Sequence, residues 1–282
     1  MDYPSDESGT SPLAPLRFTS CMADNTLPVM AEIAAYAERR LRLPTEFIDQ
    51  IPWQQREERF DRGEIQVCWI CGVPYVQKAD QPNPQIELLA APVMQGDRYQ
   101  NRPIYFSDVV VRRDRPFQQF TDLRGARWAY NEPRSHSGYV LTRYHLAMLE
   151  ESRGFFGSVV ESGAHQISLQ QILSGEVDAS AIDSTVLEHA LREDASLQRQ
   201  IRVIDTLGPS PSPPWLVSTT VPAALRTRLR SLLVQMSDDP EGAEILARGG
   251  LARFVLVSDR DYDPIRHMQQ IAAAVSLSGS EA

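Results

Sequence analysis

The sequence predicts an α/β protein of two lobes, with parallel sheets covered by helices on both faces. Three observations predict it. Strand-like and helix-like segments alternate along the 282 residues. An apolar content of 42% against 23% charged residues is that of a well-cored globular chain. A proline-rich run, GPSPSPPW at 208–215, reads as a rigid connector that interrupts the alternation. Together with a passage near Tyr105 it makes two crossings between lobes, hence a hinge and a cleft. In open α/β sheets ligands bind outside the carboxyl ends of strands.

Residues 1–15, acidic, polar and proline-containing, read as a disordered leader. LRFTSC (16–21) follows as a strand, LPVMAEIAAYAERRL (27–41) as a helix, TEFIDQI (45–51) as a strand and WQQREERFDRG (53–63) as a short helix. IQVCWICG (65–72) and IELLAAPVM (86–94) are apolar runs of strand length. IYFSDVVVRRD (104–114) is a long β-branched strand. RWAYN (127–131) resumes the cycle, and after Gly138 the residues Leu141, Tyr144 and Met148 stand at i, i+3 and i+7 of a helix. GSVVES, ISLQQILSG, DASAID, STVLEHALRE and IRVIDTL carry the alternation to residue 207. Beyond the connector come two helices, PAALRTRLRSLLVQM and PEGAEILARG, and the tail SLSGSEA reads as frayed. The expected division is 16–105 plus 213–282 for one lobe and 106–212 for the other.

A net charge of −9 argues against a nucleic-acid binder or a basic membrane-surface protein, both of which need a positive field. It leaves room for a small anion held by local donors. No stretch approaches the length of a membrane-spanning helix. The N-terminus has neither the basic nor the apolar region of a secretory signal, so the chain as written reads as cytoplasmic, or as periplasmic if its true start is missing. Cys21, Cys68 and Cys71 are too few for a disulfide framework and fit a reducing compartment.

Candidate chemistry is sparse. Cys68 and Cys71 match C-x-x-C, but inside an apolar strand they point to opposite faces, and no second pair completes a zinc site. Two buried core thiols are the reading. No HExxH, GxSxG, GxGxxG or Walker loop is present. Of five histidines, His136 and His165 lie in loops that begin helices. Asp183 ends a strand at its carboxyl end, where it can face a cleft or cap the next helix. Arg112, Arg113 and Arg115 read as a solvated strand end. Ser135, His136 and Ser137 stand where a helix leaves its first N–H groups free. They can be a plain N-cap, or a seat for an anion.

Several of these segments together resemble the substrate-binding components of phosphate/phosphonate ABC importers, a family of type II periplasmic binding proteins. The resemblance runs from about Leu16 to Met268. It is carried by DLRG at 122–125 and NEPRSHSGY at 131–139, against a family pattern of roughly D-L-K/R-G and D-P-x-S-T-S-G-Y/F. Supporting matches are CWI at 68–70 with Tyr75, YFS at 105–107, SGAH at 162–165, GEVD at 175–178 leading to Asp183, and DPEG at 239–242. The resemblance implies a two-lobed type II fold with a ligand cleft. It implies a grip on a phosphorus oxyanion by Ser135, His136, Ser137 and His165, and an aromatic wall of Trp53 and Tyr105. The family's middle Thr is His136 here, which would bring a titratable imidazole to the ligand. The acids that hold an amine in aminoalkylphosphonate binders align with Thr185 and Pro213, so an amine-bearing ligand is disfavoured. The expected function is binding of a small anionic ligand without cofactor, metal or chemistry, by a monomer that serves an ABC permease. The rival is a cytosolic enzyme on the same fold, with His136, His165 and Asp183 as acid and base, or a cytosolic sensor.

Overall fold

Two sheets organise the chain in the computed structural model, which describes residues 14–278. The expected leader lies outside the described residues but for its last two positions, as do the last four residues of the tail. β1 (Leu16–Ser20) leads into α1 (Leu27–Leu41), followed by β2 (Thr45–Phe47), α2 (Trp53–Asp61), β3 (Val67–Trp69), α3 (Gly72–Ala79) and β4 (Ile86–Met94). β5 (Ile104–Arg112), β6 (Arg127–Tyr130), α4 (Leu141–Met148), β7 (Ser158–Glu161) and α5 (His165–Ser174) come next. Then follow β8 (Ala179–Asp183), α6 (Ser184–Glu193), α7 (Leu197–Gln200) and β9 (Ile201–Pro211). β10 (Trp215–Ser218), α8 (Ala223–Gln235), α9 (Pro240–Arg248), β11 (Leu251–Val255) and α10 (Asp263–Ala272) complete the order. One sheet runs β11-β4-β10-β3-β1-β2 and the other β7-β6-β8-β5-β9.

The local reasons are plain in the sequence. α1 buries Val29, Met30, Ile33, Ala34, Tyr36, Ala37 and Leu41 on one side, begins with a proline in its first turn and ends at Arg42 in the left-handed region. The first sheet's core gathers Phe18, Met30, Ile33, Trp69, Trp215 and Phe254. The second's gathers Phe120, Trp128, Phe155, Phe156 and Leu207. A further cluster joins the two halves, packing Tyr75 of α3 and Ile265 of α10 with Val140, which stands just before α4.

Four expectations are corrected. The sheets are mixed rather than parallel. Pairing is parallel in β1–β2, β1–β3, β6–β7 and β6–β8. It is antiparallel for β5 and β10, which reach their sheets from the other sheet through links without an α-helix, and for β11 on β4. The run 208–215 is mostly not a connector: β9 extends to Pro211 and β10 starts at Trp215. Prolines are tolerated there because β9 is an edge strand, paired only to β5.

Cys71 lies outside the strand, in extended backbone as the N-cap of α3, a helix the apolar run concealed. Cys68 lies in β3, its Sγ 3.6 Å from that of Cys21. The tail is not frayed where it is described, nor does it stay with the first sheet. Val275 and Leu277 are buried in the second sheet's core, and the Val275 carbonyl accepts from Arg143 Nε at 2.6 Å.

Candidate functional site

Strands that run parallel end together, so the helices that follow them start together. The turns after β1, β2, β3, β6, β7 and β8 meet around one cavity of about 220 Å³. Asp24 and Thr26 reach it before α1, Trp53 opens α2, and Cys71 caps α3. Ser135 and Ser137 reach it ahead of α4, His165 opens α5, and Asp183 and Thr185 stand at the start of α6. Helix starts carry free N–H groups and the positive end of a helix dipole.

Ser135 caps a single wide turn, His136–Val140, that runs into α4; its Oγ accepts the Gly138 N–H at 3.1 Å. Ser137 Oγ lies 3.0 Å from His165 Nε2, and its carbonyl accepts from the Ser107 hydroxyl at 2.7 Å. α5 has no side-chain cap, so its first N–H groups are left for whatever occupies the cavity. Gly138 is required by close approach: a Cβ there would stand 2.0 Å from Asn131 Oδ1 and 3.1 Å from His165 Cε1.

Five of the expected residues, Trp53, Ser135, Ser137, His165 and Asp183, line the cavity. Tyr105 and His136 do not. His136 is fully buried behind the wall, Nε2 2.8 Å from Ser210 Oγ on β9. The Tyr105 ring packs into the first sheet's core, 6.3 Å from the His136 ring. Ser135 and Ser137 face the cavity, so the residue between them is turned toward β9. The imidazole expected at the ligand is therefore His165 alone. Thr185 and Pro213 stand where amine-holding acids were looked for, yet the wall is not without acids. Thr185 lines the cavity, Pro213 does not, and Asp24, Glu132 and Asp183 do. Asn131 and Glu132 stood in the serine-bearing loop, and Asp24 in another turn after a strand; position in the fold marks them, residue type alone does not.

Burial sets the charge state of this wall. Desolvation pushes His136 and His165 down from 6.5 to about 4, so both rings are neutral near pH 7. It pushes Asp183 up from 3.8 to about 6, against the N–H and hydroxyl of Thr185, each donating to Oδ1 at 2.8 Å. Glu132 is raised as well, mainly by desolvation. Ser137 and His165 have the contact of a nucleophile and its base. Among the described residues His165 Nδ1 has no hydrogen-bond partner, where a catalytic base is usually oriented by a third group. Among the described residues no three His, Cys, Asp or Glu side chains gather as a metal-ligand set.

A second set of side chains ties the wall together across the sheets. Glu57 of α2, 4% exposed, accepts from Arg134 at 2.6 and 3.0 Å and pairs with Lys78 at 2.9 Å. Arg134 directly precedes Ser135, so the loop that carries the serines is moored to the first sheet's helices.

A family model of ABC-transporter phosphonate periplasmic substrate-binding proteins matches residues 22–262. Among solved structures, a binding-protein component of an ABC phosphonate transporter from Pseudomonas aeruginosa superposes with a TM-score of 0.79 at 15% identity, over 92% of this chain and 87% of that one. PhnD1 from Prochlorococcus marinus, solved with methylphosphonate, gives 0.76 at 16% identity, over 92% and 98%. The periplasmic aliphatic sulphonate binding protein SsuA from Escherichia coli gives 0.59 at 17%, over 92% and 85%. At such identities the likeness is one of fold, and it is the expected α/β fold of the periplasmic-binding-protein kind. No helix among the described residues is long and apolar enough to cross a membrane.

Proposed function

The chain belongs to the family of ABC-transporter phosphonate periplasmic substrate-binding proteins, and from that premise we propose that its central cavity holds a small phosphonate or phosphate-like anion for delivery to an ABC permease. The observation that carries the reading is the convergence of helix starts on the space beside Ser135, Ser137 and His165. A phosphonate head takes several donors at once. With its proton on Nε2, His165 donates to Ser137, leaving the serine hydroxyl to donate to the ligand. The Ser135 Oγ, already accepting from Gly138, is likewise free to donate. Low dielectric strengthens each of these bonds once water is excluded.

In this reading the two lobes divide near residues 105 and 212, and they close on the ligand with the Glu57–Arg134 contact as part of the closed form. The protein acts as a monomer at the outer face of the membrane and performs no chemistry on its ligand. The enzyme alternative is not favoured, since the family's role is solute binding. Calorimetry with methylphosphonate, phosphate, phosphite and sulfate tests the seat. Ser135→Ala with Ser137→Ala removes two hydrogen bonds to an anion, each about 1.5–3 kcal/mol, so affinity should fall by roughly a hundredfold or more. Failure of all four anions to bind the wild type, or unchanged binding by the double variant, would overturn the seat.

A further inference from the structure

A second chamber, of about 100 Å³, borders the first across Thr26 and Thr185. It is lined on the α6 side by His189 and Arg192 and on the other by Glu32 of α1 and Arg248 and Gly249 at the end of α9. The charges here are opposite in sign to those of the first chamber. Arg248 is paired with Glu32. Arg192 makes no ion pair among the described residues, and its guanidinium lies over Gly250, where a Cβ would stand 3.1 Å from Nη2. Gly250 has φ +69°, so the close approach and the backbone both favour glycine there. Two arginines against one carboxylate give this chamber a net positive charge, within a chain of net charge −9.

A positive pocket that shares the wall of Thr26 and Thr185 with an anion seat would select ligands with two separated negative ends. We infer that the second chamber receives a second anionic group of the ligand, a carboxylate or a second phosphorus oxyanion, so that the preferred ligands are phosphonates bearing such a group rather than simple alkylphosphonates. Arg192 is the specificity-determining residue in this arrangement, and His189 adds a donor beside it. The inference rests on the reading of the seat given above.

Calorimetry on the full chain tests it with matched pairs. Phosphonoacetate, 3-phosphonopropionate and 4-phosphonobutyrate are each compared with the alkylphosphonate of equal carbon chain length, in wild type and in Arg192→Gln. Arg192 is exposed, which limits the gain from an ion pair to about fivefold. At least one phosphonocarboxylate should bind about fivefold more tightly than its carboxylate-free partner, and the advantage should shrink as salt is raised. Arg192→Gln should abolish it while leaving methylphosphonate binding unchanged, and Arg192→Lys should keep most of it. Methylphosphonate binding with no advantage for any carboxylate, or an advantage that survives Arg192→Gln, overturns the second site alone. Failure of the methylphosphonate series to bind at all overturns the seat and the second site together.

Discussion

Replacing Asp183 by Asn removes a charge and almost nothing else. Asp183 is 4% exposed, and its Oδ1 accepts both the N–H and the hydroxyl of Thr185 at 2.8 Å. An Asn amide oxygen accepts the same two bonds and is as good a cap. Burial has raised the carboxyl from 3.8 to about 6, so the folded protein holds this proton after the unfolded chain has released it. Between about pH 4 and 6 the folded state therefore binds more protons, and its stability falls as pH rises. The rise corresponds to about 3 kcal/mol at 1.36 kcal/mol per unit. Asp183→Asn should lack this loss: equal to wild type near pH 4 and about 1–3 kcal/mol more stable at pH 7.5. Urea unfolding of both proteins at several pH values measures the difference, in which all other titrating groups cancel. Methylphosphonate affinity supplies a second readout, since the variant removes a negative neighbour from the anion: binding should tighten at pH 7.5 and match wild type at pH 5. A stability difference that does not change with pH would refute the burial argument.

Other perturbations probe the same wall. His136 and His165 are held near 4 against an ordinary 6.5, so the unfolded chain takes up protons first and stability is lost as pH falls from about 6.5 toward 4. His136→Asn, which keeps a partner for Ser210, should move the acid midpoint followed by circular dichroism to lower pH; coincident curves would count against it. Gly138→Ala drives a methyl into Asn131 and His165 and should cost about 1–3 kcal/mol of stability together with most of the anion affinity, read by unfolding and calorimetry. Glu57→Gln leaves Arg134 and Lys78 without their shared carboxylate; a loss of about 2 kcal/mol, tested in a cycle with Arg134→Gln, is expected, and additive effects would show the contact to be idle.

Most of the fold was legible because its signals are local. The limits of α1, β4 and α6 follow from apolar runs bounded by turn residues, and the strand-helix alternation matches the two sheets. What stayed hidden was strand direction and everything set by partners far along the chain. Nothing near Trp215 says that β10 lies antiparallel between β3 and β4, and nothing in GPSP says that an edge position excuses its prolines. The cavity wall was legible at its serines, His165 and Asp183, since each stands where a strand gives way to a helix. Tyr105 and His136 were misplaced because sequence neighbours do not share a direction.

His136 then explains how a Ser-Thr-Ser pattern tolerates an imidazole in its middle. The side chain at that position does not meet the cavity. It bridges instead to Ser210 on β9, the last strand before the chain crosses to β10. A ring there is a tie between the serine turn and the edge strand, so in the proposed reading its exchange alters how firmly the seat is held and not which atoms face the ligand. The same geometry reconciles an anion with a wall that carries Asp24, Glu132 and Asp183. Glu132 and Asp183 are raised by burial, and Asp183 spends its oxygen on Thr185. The donors are supplied by helix starts, whose direction the parallel strands have already set. In the proposed reading the anion is held mainly by backbone and hydroxyl dipoles rather than by a cation, and a guanidinium stands only in the second chamber beyond Thr185.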